Sequence, residues 1–153
     1  MIPKLAACAG CVAYTTSQHW VPDVYVPGSK VLILQGEVSE YDVKGQRVTS
    51  RAGLGKYECH SQEPQPLLGP DGYDLEQSYF RLSGLSRSTV SLGSVTRCLT
   101  GLTGKDQQAA QAYCQHTHFH PPASVELVVA LGPVAAQAMG SEGKMEQWRG
   151  HVL

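Results

Sequence analysis

Short apolar runs alternate along this chain with polar, glycine-rich connections, and the period of each run predicts its element. Val31, Leu32, Ile33 and Leu34 are consecutive apolar residues bounded by Lys30 and Gly36, the pattern of a strand buried on both faces, as parallel strands are. A second such run over 125–131 is rich in Val and closes on Gly132-Pro133, after which Ala135, Ala136, Ala138 and Met139 follow at helical spacing. Pro133 suits the first turn of that helix, where its missing N–H has no partner to lose. Between these units, Leu75, Tyr79, Phe80 and Leu82 predict an amphipathic helix over 74–83 stopped by Gly84. The β-branched stretch 89–95 predicts a strand interrupted at Gly93, and the Gln- and Ala-rich stretch 106–116 predicts a helix capped by Thr103 or Asp106. Pro64, Pro66, Gly69, Pro70 and Gly72 make 57–73 a long loop or insertion. Alternating strands and helices predict an α/β sandwich with a mostly parallel sheet.

Composition narrows this picture. A chain of 153 residues that is 42% apolar fills one core and makes one domain, 1–153. A net charge of −1 excludes a protein that holds nucleic acid by broad phosphate attraction, so any DNA contact must be local. No apolar run approaches the length of a spanning helix, and the N-terminus is too interrupted by Cys8, Gly10 and Cys11 for a signal peptide. The expected setting is intracellular, cytoplasmic or nucleoid-associated, with no membrane partner. In a reducing compartment, five cysteines read as thiols, catalytic groups or metal ligands before disulfides.

Cys8-Ala-Gly-Cys11 is a C-x-x-C pair, and Cys98 and Cys114 lie downstream, sixteen positions apart. A turn of that length converges two sulfurs on one metal, and Gly10 removes a steric obstacle within it. Spacing alone leaves three readings open: a metal site, buried structural cysteines, or a thioredoxin-like redox pair. For four thiolates, zinc is the default metal and an iron–sulfur cluster the second. His116, His118 and His120 follow Cys114 closely and read as a solvated loop able to take metal adventitiously.

The residues around the cysteines carry a resemblance. The N-terminal C-x-x-C, Arg97-Cys98, Cys114, Gly84-Leu85-Ser86-Arg87 with Val90, the strand-turn-helix over 127–140 and Trp148-Arg149-Gly150 together resemble the thermophile-type, iron–sulfur (family 4) uracil-DNA glycosylases. The likeness spans nearly the whole chain in order, broken by the insertion at 57–73. It implies a three-layer α/β sandwich, a 4Fe-4S cluster on Cys8, Cys11, Cys98 and Cys114, and a structural role for that cluster near the DNA face. Zinc becomes the runner-up, and Cys59 has no counterpart. The implied partner is DNA, single-stranded or with a flipped base, because the glycosidic carbon is inaccessible inside a duplex stack.

The same resemblance locates an active site and its departures. The strand at 31–34 leads into Gly36-Glu37, with Gly45 and Ala52-Gly53 following, which keeps the family's Gly-Glu, Gly and Ala-Gly frame. Its Pro-Gly turn is missing, Val48 stands where the family stacks a Phe on uracil, and Ser94 replaces the Asn that reads the base edge. A hydroxyl cannot present the paired donor and acceptor of a carboxamide. The family's C-terminal His-Pro motif has no match, and His120-Pro121 lies upstream of where it belongs, so the chain stops about one strand short of the family pattern. Glu37 is the implied catalytic carboxylate, with Gly36, Gly45, Ser94, Arg97 and Arg149 implied at the base or DNA, and Lys105 and Lys144 flanking. Each lost charge-stabilising group costs about a hundredfold to a thousandfold in rate, so the expectation is a degenerate active site. An active glycosylase, with a partner chain supplying missing parts, and a zinc-stabilised interaction domain are the alternatives.

Overall fold

The computed structural model describes residues 2–17, 19–53 and 55–141. In chain order it runs β1 (Ile2–Pro3), a turn of 3-10 helix (Ala6–Gly10), β2 (His19–Trp20), β3 (Val31–Glu37), α1 (Glu40–Lys44), β4 (Gln46–Arg51) and β5 (Tyr57–Ser61). There follow α2 (Pro70–Leu75), a π-helical turn (Glu76–Phe80), α3 (Arg81–Ser83), β6 (Ser91–Thr96), α4 (Gly104–His118), β7 (Leu127–Leu131) and α5 (Pro133–Ala138).

The predicted parallel sheet is present and small. β3 lies between β6 and β7 and runs parallel to both. Pairing runs from Leu32 opposite Ser91 to Glu37 opposite Thr96 on one side, and from Val31 opposite Leu127 to Gln35 opposite Leu131 on the other. Successive residues of a strand face opposite ways, so Ile33 joins a core with Leu67, Phe80, Val90 and Leu92, while Leu34 joins one with Val95 and Ala135. The helical segment after Pro70 supplies the first core and α5 the second. β3 is therefore buried on both faces, as its unbroken apolar run predicts.

β7 differs from that expectation. Its run is as apolar as that of β3, yet Leu127 is 45% and Val129 37% exposed. The reason is coverage: Leu127 and Val129 pair with Val31 and Ile33 and share their face of the sheet, and the core on that face gathers Ile33, Leu67, Phe80, Val90 and Leu92 without reaching them. The stretch 57–73 is also more ordered than its prolines imply. β5 pairs antiparallel with β4 from Gln46 opposite Ser61 to Arg51 opposite Tyr57, and its polar, mostly exposed residues carry no apolar alternation to betray a strand. The helix predicted from residue 74 begins at Pro70, which occupies the first turn after Gly69.

Buried polar groups fix the loop after β3. Ser39 and Asp42 form a reciprocal capping box at α1, with Asp42 Oδ2 accepting from the Ser39 N–H at 2.8 Å. Asp42 is fully buried and also accepts from the Leu68 N–H at 2.6 Å and from Gln35 Nε2 at 3.1 Å. Leu67 holds a left-handed backbone (φ 62) rare for a branched side chain, and Arg87 fastens it by donating to the Pro66 and Leu67 carbonyls while pairing with Glu76. Among the described residues no helix is long and apolar enough to cross a membrane.

Candidate metal centre

Three segments distant in sequence meet at one recess. The turn Ala6–Gly10 carries Cys8 and leads to Cys11, whose N–H donates to the Cys8 carbonyl at 2.9 Å. Cys98 lies two residues past the end of β6, and Cys114 lies on α4. All four thiols line the same recess, with Lys4, Trp20, Thr96, Ala110, Tyr113 and His118 completing its wall. The cavity they enclose is small, about 10 Å³, the room of about one water-sized sphere. Gly10 serves the packing as well as the turn, since a Cβ there would come 2.7 Å from Tyr113 Oη, which itself donates to the Ala7 carbonyl at 3.0 Å.

α4 is why these parts converge. Ala110, Cys114 and His118 recur every fourth residue and form one stripe facing the recess, whereas Gln107 and Gln111 form the adjacent stripe. The second stripe reaches Glu37 at the end of β3: Gln107 Nε2 donates to Glu37 Oε1 at 2.6 Å and Gln111 Nε2 at 3.0 Å. Glu37 stands opposite Thr96 in the sheet, so the recess and the carboxylate share the carboxyl edge of the parallel strands. Crevices outside that edge are where open α/β sheets bind ligands.

The thiols sit in apolar surroundings with cations nearby. Burial pushes the Cys98 thiol up to about 11, reinforced by Cys114 and Cys11, although Lys4 and Ser17 oppose it. Burial likewise raises Cys8 and Cys114, the latter against donation from Arg97. His118 Nε2 lies 3.4 Å from Cys8 Sγ, its ring packs edge-on to Trp20 at 4.5 Å, and burial and then Arg97 lower its pKa. Arg97 Nη1 donates to Cys114 Sγ at 3.8 Å, and its other nitrogen pairs with Asp23. Burial works against the Arg97 charge, but the Asp23 carboxylate more than offsets it and holds the guanidinium above its ordinary value.

The donor set fits a sulfur-bound metal or cluster by its chemistry. Four thiols, no carboxylate, and two cations within reach of the sulfurs suit a group that gathers negative charge. A second fit is a buried hydroxyl, that of Thr96, which lines the recess and has no hydrogen-bond partner among the described residues. No group of three or more His, Cys, Asp or Glu side chains among the described residues is closed tightly enough to hold a metal ion. The thiols share a recess rather than a finished coordination sphere.

The residues implied at the base or DNA fall into several places. Glu37 is exposed at the strand end, and Gly36 beside it admits α5, because a Cβ would lie 2.8 Å from Val134 Cβ. Gly45 ends α1 in a left-handed conformation, 2.0 Å from the Gln62 carbonyl on its would-be Cβ side. Ser94 is fully buried, its Oγ accepting from Gln35 Nε2 at 2.9 Å. Val48, at the position expected to stack on a base, is buried and its N–H donates to Leu68. Arg97 has a place unlike the expected phosphate contact: it is 1% exposed and its charge is spent on Asp23. Arg149, with Trp148, Gly150 and Lys144, lies outside the described residues. Cys59 is exposed on β5, away from the recess lining.

Sequence reasoning missed Lys4, Trp20, Thr96 and the two glutamines, and took His118 for part of a solvated loop. For His118 the signal was present: it falls one helical turn after Cys114. Neither a protein-family model nor a curated protein matches this chain.

Proposed function

We propose that the chain is an iron–sulfur protein of the uracil-DNA glycosylase superfamily, a DNA-binding or repair- and replication-associated module with a degenerate active site. The observation that carries this reading is the convergence of Cys8, Cys11, Cys98 and Cys114 on one recess beside the carboxyl edge of a parallel sheet. The fold is then the family's three-layer sandwich, and the setting intracellular, cytoplasmic or nucleoid-associated. Cys8, Cys11, Cys98 and Cys114 hold a 4Fe-4S cluster, whose chemistry there is structural: it ties the N-terminal turn, the end of β6 and α4 together. Zinc is the alternative occupant.

The chain's own residues support the degenerate active site. Gln35 spends both N–H groups on Asp42 and Ser94, Val48 belongs to the core, and Gly45 is committed to a helix cap. Glu37 favours the second reading, an active glycosylase. Two carboxamides donate to Oε1, which fixes the aim of the group, and Oε2 remains to orient a water or steady positive charge on the sugar as the base departs. Phosphate contacts fall to exposed cations such as Lys105 at the start of α4.

Iron, sulfide and zinc content of purified protein decides the occupant: brown protein with broad absorbance near 400 nm is expected (~400 nm being general to such clusters), and colourless zinc protein overturns the cluster. A single-stranded uracil oligonucleotide, incubated under single-turnover conditions and then cleaved by alkali, separates the two readings. No strand cleavage is expected; cleavage that Glu37→Ala abolishes establishes the active enzyme.

A further inference from the structure

Among the described residues, Thr96 carries the buried side-chain hydroxyl in the recess wall that the fold leaves unused. It is 1% exposed and, whereas Ser94 Oγ accepts from Gln35 and Arg97 pairs with Asp23, its hydroxyl has no partner among the described residues. An unpaired buried hydroxyl is costly, on the order of 1–3 kcal/mol in general, and such groups are rare in folded proteins and call for a reason, such as a functional role or a bound water or ion. The surrounding wall otherwise consists of the four thiols, Lys4, His118, Trp20, Tyr113 and Ala110, none of which pairs with it. Its chemical complement is therefore an acceptor that enters the recess from outside the chain.

We propose that Thr96 Oγ donates a hydrogen bond to a sulfur of the bound cluster, and so holds the cluster in place and raises its reduction potential. This rests on the iron–sulfur reading of the recess. Hydrogen bonds to cluster and ligand sulfurs disperse their negative charge and favour the reduced, more negative state. Arg97 contributes in the same sense at one remove, by donating to Cys114 Sγ while Asp23 fixes its position. Thr96 is thus a positioning residue of the metal centre, reached by the strand that also places Cys98.

Two substitutions separate a hydrogen bond from packing. Thr96→Val keeps the shape and removes the hydroxyl; Thr96→Ser keeps the hydroxyl and removes a methyl. The loaded full-length proteins are compared by the rate of bleaching in excess chelator and by midpoint potential. Thr96→Val is expected to bleach roughly fivefold faster, the factor carried by one hydrogen bond of ordinary net strength, with a more negative potential, while Thr96→Ser stays near the parent. Failure of Thr96→Val to load a cluster while Thr96→Ser loads normally supports the proposal equally. Parent-like bleaching and potential in Thr96→Val, or equal loss in both variants, overturns it. Parent protein free of iron and sulfide overturns the cluster reading itself, and the proposal with it, and is told apart by metal analysis before any variant is made.

Discussion

Asp42 shows how much one buried side chain can organise. It closes the α1 cap, anchors the Leu68 N–H and orients Gln35, which in turn reaches Ser94. Asp42→Ala strands three donors at once, so a loss of about 3 kcal/mol or more is expected, which for a domain of this size lowers the melting temperature by about 6–12 °C. Thermal denaturation followed by circular dichroism measures it; a shift below about 2 °C contradicts the role. The thiols make a second prediction at this scale. In metal-free protein Cys98 holds its proton more tightly folded than unfolded, with a pKa near 11 against an ordinary 9.0. Its contribution is fully present below about pH 9 and is lost as pH rises through about 11, on the order of 2–3 kcal/mol. Cys8 and Cys114 act in the same direction. Urea melts at pH 8, 9.5 and 11 test the sign, and stability that rises over that interval refutes it.

Among the elements, the junction of α1, β4 and β5 tests whether a glycine serves shape or chemistry. Gly45 has φ 65 and faces the Gln62 carbonyl, whereas Gly28 has φ 74 and open space. Gly28→Ala meets left-handed strain alone, about 1–2 kcal/mol; Gly45→Ala adds a backbone overlap, for a total of about 2–4 kcal/mol. Chemical denaturation of both variants reads the difference, and equal costs remove the steric role. α4 illustrates a different point. It was legible as a helix from its Gln and Ala content, but its low apolar content gave no sign of which faces would be buried. Only the packing shows that one stripe meets the thiols and the adjacent one Glu37.

At the scale of the whole molecule the recess joins segments separated by most of the chain, so a bound metal closes long loops and restrains the unfolded state. Cys98→Ala is expected to lose the metal and soluble folding, while Cys59→Ala, on an exposed strand, leaves both unchanged. Metal analysis and size-exclusion chromatography of the two variants check this; comparable losses contradict the ligand assignment.

The sequence by itself determined the buried strand over 31–34, the turn and helix after Gly132, and the four cysteines as a set. Those features are local or compositional: an unbroken apolar run, a proline at a helix start, a C-x-x-C spacing. Tertiary structure decided the rest. It made β7 an edge and β5 a strand, turned Arg97 inward to Asp23, buried Val48 and Ser94, brought His118 onto Cys8 and left Thr96 without a partner among the described residues. Each of these depends on a neighbour far away in the chain, and burial and hydrogen bonding are properties of such neighbours that no local pattern encodes.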